Sequence, residues 1–329
     1  MSDSSTPPSV ISSTITRYVA LKQALGRAFA GEKRILAHLD SFLCRAGSDL
    51  TAESFEAWCL TLEHLTSGVR RNWMRVARNL CLYRRRTEPS CFVPDPSQFP
   101  PLHQPVQPHI FTEDEVTRLL GTADQLEPGS SSPLRRQTFR LAIVLLYTSG
   151  LRRGELLRLV IEDYDPVERT LLIRESKFYK SRLLPLSKDA SQELECYLGS
   201  RRRGGFSTAA EVPVISTNRS GGRPYTGVGL SSTIRDLFRT TGVQTAAGRD
   251  PRVHDFRHTF AVRALLRWYH AGADVQAKLP LLAIYMGHVS IVSTQYYLRF
   301  VDELAAVASD RFAEQCGALV TVLGNEETP

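Results

Sequence analysis

The chain has 329 residues, 42% of them hydrophobic and 23% charged, a length that suits two domains and a balance that excludes disordered, collagen-like and coiled-coil classes. No stretch approaches the ~18 consecutive apolar residues of a membrane helix, and the opening MSDSSTPPSVISST lacks the basic-then-apolar pattern of a secretion signal, so a cytoplasmic protein with no membrane partner is expected. Lys and Arg outnumber Asp and Glu by 41 to 34, a net charge of +7, which suits a polyanionic partner.

Residues 1–13, rich in Ser, Thr and Pro, read as a flexible tail. Over 14–88 apolar residues recur at helical spacing, as in Tyr18, Leu21, Leu25 and Phe29, which predicts a small all-helical domain. Seven prolines between Glu88 and His109 forbid a helix and predict an extended interdomain linker over 89–109. A second domain, 110–300, opens with a capping box: Thr112 caps, Glu115 follows three residues on, and Phe111 with Val116 forms the apolar staple. From Val160 to Leu186 the period shortens, and LVIEDYD, TLLIRES and RLLPL predict a small antiparallel sheet. Helical spacing then returns from Leu230 onward. The fold class is therefore mainly α with a small antiparallel sheet, in two domains, followed by a C-terminal helix and tail over 301–329.

Six scattered cysteines (Cys44, Cys59, Cys81, Cys91, Cys196, Cys316) form no C-x-x-C pair, so they read as reduced, buried thiols with neither a metal site nor a disulfide framework.

Between Arg70 and Arg86 lie seven arginines and no acid. On a helix Arg71, Arg75, Arg78 and Arg85 share one face, while Trp73, Val76, Leu80 and Tyr83 share the opposite one. The arginine stripe is expected to hold DNA phosphates; a merely solvated face is the alternative. Arg201, Arg202 and Arg203, and the run Asn218 to Arg223, read as exposed basic loops that either touch DNA or serve solubility.

Four segments then stand together: TSGLRRGELLRL (148–159), ESKFYKSRLLPL (175–186), HDFRHTFA (254–261) and MGHVSIVSTQYY (286–297). In this order and context they resemble the tyrosine recombinase, or phage integrase, family, and the likeness runs through essentially the whole chain. The matching residues are Arg152 in GLRRGEL, Lys177 in the predicted hairpin, His254 and Arg257 in H-x-x-R, His288 after Gly287, and Tyr297 nine residues later. The hairpin departs from the usual Gly-Lys-Gly, reading Ser176-Lys177-Phe178-Tyr179-Lys180, which leaves Lys180 as a rival to Lys177.

The resemblance implies attack of a tyrosine hydroxyl on a DNA phosphodiester, giving a 3′-phosphotyrosine and a free 5′-hydroxyl that reverses the step on a new strand. Bond energy is conserved, so neither nucleotide cofactor nor metal is implied. A hydroxyl with a pKa near 10 is only about 0.1% ionised at neutral pH, and the phosphate charge repels it. Two arginines, Arg152 and Arg257, answer the charge with fork-shaped permanent cations, and Glu155 and Asp255 are the carboxylates placed to orient them. Lys177 is implied to protonate the departing 5′-oxygen, His254 to accept the tyrosine proton, and His288 to hydrogen-bond the phosphate. Adjacent residues on a helix point about 100° apart, so only one of Tyr296 and Tyr297 can face the phosphate; the spacing from His288 selects Tyr297 and leaves Tyr296 for the core. His258 reads as helix packing.

The partner implied is double-stranded DNA, bound by a homo-oligomer, as a synaptic tetramer, with or without sister recombinases. The long stretch Arg267 to Leu282 resembles integrases of mobile elements. Leu304, Ala308, Phe312, Cys316 and Leu319 predict an amphipathic helix that docks on a neighbouring protomer or in its own domain. Two other functions fit part of the pattern: a DNA-binding partner that has lost catalysis, and a type IB topoisomerase.

Overall fold

The computed structural model describes residues 9–101, 106–174, 181–217, 222–288, 290, 292–295 and 297. The chain divides into two compact units, Met1–Val106 and Gln107–Pro329.

In the first unit four helices, α1 (Ser12–Ala24), α2 (Ala30–Ala46), α3 (Ala52–Leu60) and α4 (Ser67–Arg84), bury Leu36, Leu39, Leu43, Trp58 and Ala77 completely. Trp58 donates its indole N–H to His38 Nδ1 at 3.1 Å, which satisfies the one polar atom of a buried ring. Within residues 9–13, expected in the tail, Ile11 is instead buried and Ser12 Oγ donates to Asp40 at 2.7 Å, while Val10 stays exposed.

The proline-rich segment is also not a free linker over its first half. Phe99 is buried, and Phe92 and Val93 pack on the same core. Prolines supply carbonyl acceptors but no N–H donors, and arginines of α4 supply the donors: Arg71 Nη1 to Pro100 O at 2.6 Å, and Arg78 Nε to Pro94 O at 3.0 Å.

The second unit begins as its sequence suggests. Helix α5 (Glu113–Ala123) is capped reciprocally, Glu115 N to Thr112 Oγ1 at 3.2 Å and Thr112 N to Glu115 Oε2 at 2.9 Å. Helix α6 (Arg135–Ser149) is the central element, with Phe139, Leu141, Ala142, Ile143 and Leu145 fully buried. It ends at Gly150 in the left-handed conformation, where a side chain would collide with the Phe260 ring. After α7 (Arg153–Arg158) come strands β1 (Tyr164–Asp165), β2 (Thr170–Ile173) and β3 (Arg182–Pro185). They form an antiparallel sheet in the order β1-β2-β3, with Leu171 opposite Leu184. Helices α8 (Lys188–Arg203), α9 (Gly227–Thr241), α10 (Asp255–His270), α11 (Val275–Met286) and α12 (Val292–Gln295) follow among the described residues.

Arg201 is not on an exposed loop. It lies in α8, 1% exposed, donating to Ser216 Oγ at 2.6 Å and Ser207 O at 2.6 Å. Cys196 is exposed, against the expectation of burial, while Cys81 is buried and its thiol is pushed up to about 12 by that burial. Cys316, the C-terminal segment and residues 218–221 lie outside the described residues. Among the described residues no helix is long and apolar enough to cross a membrane.

Candidate active site

Helix α11 ends in the second unit where the motif residues converge. Gly287 adopts a left-handed φ of 65°, and the chain closes with His288 N on Ala283 O at 2.8 Å and Gly287 N on Ile284 O at 2.9 Å. This closure leaves three successive carbonyls, those of Tyr285, Met286 and Gly287, at the electronegative end of the helix. Each accepts from a different arginine. Arg182 Nε reaches Tyr285 O at 2.8 Å, Arg257 Nη2 reaches Met286 O at 2.5 Å, and Arg152 Nη2 reaches Gly287 O at 2.8 Å. A Cβ on Gly287 would lie 2.8 Å from the Arg182 guanidinium and 3.4 Å from that of Arg152, so the glycine is required by space as well as by backbone angle.

Arg152 precedes α7, and Glu155, one turn in, accepts its backbone N–H at 3.0 Å and its Nη1 at 2.6 Å. Glu155 is 3% exposed. Burial alone would raise its pKa, but hydrogen bonds from Arg182 and from the Arg152 backbone, with both guanidinium charges, hold it down to about 2. The carboxylate is therefore ionised at any working pH. Arg257 is 1% exposed on the first turn of α10 and donates its other Nη to Gly150 O at 2.6 Å. Burial, then the charge of Arg152, pushes it down to about 10, so it remains a cation at neutral pH. The sequence suggested that Asp255 orients it; Asp255 instead pairs with Arg252 at 2.8 Å, three residues before it in the chain.

Three imidazoles surround this cluster. The His254 residue is exposed overall, yet its imidazole is partly withdrawn from water, which lowers its pKa first, with the charge of Arg257 second. His288 Nδ1 lies 2.8 Å from Thr294 Oγ1, and burial with the charges of Arg257 and Arg152 takes its pKa down to about 3. His258 is buried, its ring 4.8 Å from that of His254 and 5.4 Å from that of Tyr297. Tyr297 is 3% exposed and packs with Leu265, Leu279 and Met286, its ring 6.0 Å from His288 and inclined by 21°. Its described ring neighbours are thus His288 and His258, and His254 stands one ring further out.

The structure brings together Arg152, His254, Arg257, His288 and Tyr297. Lys177, its rival Lys180 and Tyr296 lie outside the described residues. Sequence reasoning missed Arg182 and Thr294; Arg182 sits five residues past Lys177 in RLLPL, the same segment already singled out. Arg152 and His254 also line a cleft with Arg153, Arg235, Arg252 and Asp250.

The arginines of the first unit expected to hold phosphates divide. Arg71 and Arg78 are committed to backbone carbonyls of the proline-rich segment, whereas Arg75 and Arg85 are exposed, with Arg75 donating to Asn72 Oδ1 at 2.8 Å.

The sequence profile of the phage integrase family matches residues 109–303. A candidate integrase/recombinase, y4rB, of Sinorhizobium fredii is 31% identical over 300 residues, covering 90% of this chain and 95% of that protein. Tyrosine recombinase XerD of Mycobacterium tuberculosis is 35% identical over 202 residues, 60% of this chain and 58% of that protein. Among solved structures, the Tn1549 transposon integrase in complex with transposon right end DNA superposes with a TM-score of 0.61 at 18% identity, covering 92% of this chain and 98% of that one. A lambda integrase dimer bound to a core site gives 0.58 at 16% identity, covering 87% and 94%. The chain belongs to the phage integrase family, and its enzymatic class is that of the tyrosine site-specific recombinases.

Proposed function

We propose that Tyr297 is the nucleophile of a DNA cleavage and rejoining reaction in which Arg152 and Arg257 hold the scissile phosphate. The observation that carries this reading is the convergence of both guanidiniums on adjacent carbonyls, Met286 and Gly287, a residue or two before His288 and in the same unit as Tyr297.

In the proposed step Tyr297 Oη bonds to phosphorus, the bond to the 5′-oxygen breaks, and the tyrosine proton passes to His254. Its lowered pKa keeps that imidazole unprotonated at neutral pH and so able to accept. Lys177 delivers a proton to the departing 5′-oxygen; this role rests on its place in the sequence motif. The guanidiniums stabilise the added charge of the five-coordinate phosphorus in a preorganised setting. We assign the ring proton of His288 to Nε2, with Thr294 donating to Nδ1, so that His288 serves as a neutral donor to a phosphate oxygen. Rejoining runs the same steps in reverse from a new 5′-hydroxyl.

Arg75 and Arg85 are the members of the α4 stripe that remain available for DNA phosphates. A homo-oligomer on duplex DNA, a synaptic tetramer with or without sister recombinases, acting in the cytoplasm on the ends of a mobile element, completes the proposal. The likeness of fold to a transposon integrase supports the last point.

The test is a plasmid carrying the gene's flanking DNA as a direct repeat, incubated with full-length protein. A circular excision product with a precise junction is expected. Site-independent relaxation without junctions would mark a topoisomerase, and binding without product an inactive partner.

A further inference from the structure

The recombinase reading leaves one guanidinium of the cluster without a role. Arg182 opens strand β3, 27 positions from Glu155 and 103 from Tyr285 in the chain, yet it joins both. Its Nη1 and Nη2 donate to the two oxygens of Glu155 at 3.2 and 3.0 Å, and its Nε donates to Tyr285 O at 2.8 Å. The side chain is 10% exposed, so all three nitrogens face inward rather than toward a duplex.

Resting on that reading, we infer that Arg182 is a positioning residue for strand cleavage, holding Glu155, and through it Arg152, at a fixed place against the carboxyl end of α11. Geometry supplies the reason. Glu155 has two oxygens, and Arg152 Nη1 shares Oε1 with Arg182. Remove Arg182 and the carboxylate can swing with Arg152, while Tyr285 O loses its donor and the turn that carries His288 loosens. Charge supplies the second reason. Three guanidiniums against one carboxylate leave a surplus of two positive charges beside Gly287, and Arg182 keeps the Glu155 charge from cancelling Arg152 alone. Only a planar fork can serve a carboxylate with its two Nη and a carbonyl with its Nε; an ammonium cannot span both.

The test uses full-length protein and a nicked duplex selected from a random-sequence library for retention by this chain. Cleavage rates are measured on the ordinary phosphate and on a methylphosphonate, which lacks the charge that Arg152 answers. Displacing Arg152 by as little as an ångström should slow Arg182→Ala by about 10²-fold on the phosphate. On the methylphosphonate the deficit relative to the native chain should shrink at least tenfold. Arg182→Lys, which keeps the charge and protects against simple unfolding, should show a smaller deficit with the same pattern. In a double-mutant cycle, adding Arg182→Ala to Glu155→Gln should slow cleavage further by less than threefold. Equal deficits on both substrates, or losses that multiply, would overturn the inference and make Arg182 a general stabiliser of the fold. Absence of any adduct with the native chain would instead count against the recombinase reading itself.

Discussion

The ring of Tyr297 lies nearly parallel to that of His288, centroids 6.0 Å apart, with the tyrosine only 3% exposed. The tyrosine proposed as nucleophile is thus buried inside the unit, beside the imidazole proposed to face the phosphate.

This packing has a consequence for stability. Burial, with neighbouring positive charge, pushes the imidazoles of His288 and His258 down to about 3 and about 4 in the folded chain, below the ordinary value of 6.5. The unfolded chain therefore binds more protons between these limits, so stability is complete above about pH 6.5 and is lost progressively as pH falls toward 3. Denaturant unfolding followed from pH 7 to 4 should show this loss, and His258→Asn should flatten it. An unchanged slope in that variant would contradict the assignment.

Gly287 and Gly47 both sit at left-handed helix ends, φ 65° and 60°. An added Cβ meets nothing within 4 Å at Gly47 but lies 2.8 Å from the Arg182 guanidinium at Gly287. Both alanine variants should lose about 1–2 kcal/mol from backbone strain. Only Gly287→Ala should also lose cleavage, by about 10²-fold, as its arginines shift. Equal cleavage in the two variants would mean that the glycine serves the turn alone.

Within α4 the arginines should separate by measurement. Arg78→Ala leaves the buried carbonyl of Pro94 without its donor and should cost about 1–3 kcal/mol in denaturant unfolding. Arg75→Ala and Arg85→Ala should leave stability unchanged, while each lowers the salt slope of DNA binding by about 0.9. A reduced slope for Arg78→Ala with intact stability would return that residue to the DNA-facing set.

What the sequence makes legible follows the distance over which each interaction acts. Thr112 and Glu115 are three residues apart, so their capping box is readable as a pattern, as is the strand–turn alternation that gives β1 to β3. Arg152, Arg257 and His288 are recognisable through their flanking motifs although the fold alone brings them together. The Arg78 interaction was hidden because a helical wheel places the arginine on a polar face without showing that Pro94, 16 residues on, folds back over it. Arg201 misled for a related reason: a basic triplet at a helix end looks solvated until Ser207 and Ser216 close around its first member. Arg182 lies inside the segment ESKFYKSRLLPL but matches none of the residues that the resemblance assigns, and its partners Glu155 and Tyr285 lie on other elements.

Tyr297 should become joined to DNA. The direct measurement is denaturing electrophoresis of full-length protein after incubation with a nicked suicide duplex, built from the gene's flanking DNA, that cannot religate. The native chain and Tyr296→Phe should both give a protein–DNA adduct, and peptide mapping should place the linkage on Tyr297. Tyr297→Phe should give none; an adduct that persists in Tyr297→Phe would contradict the assignment.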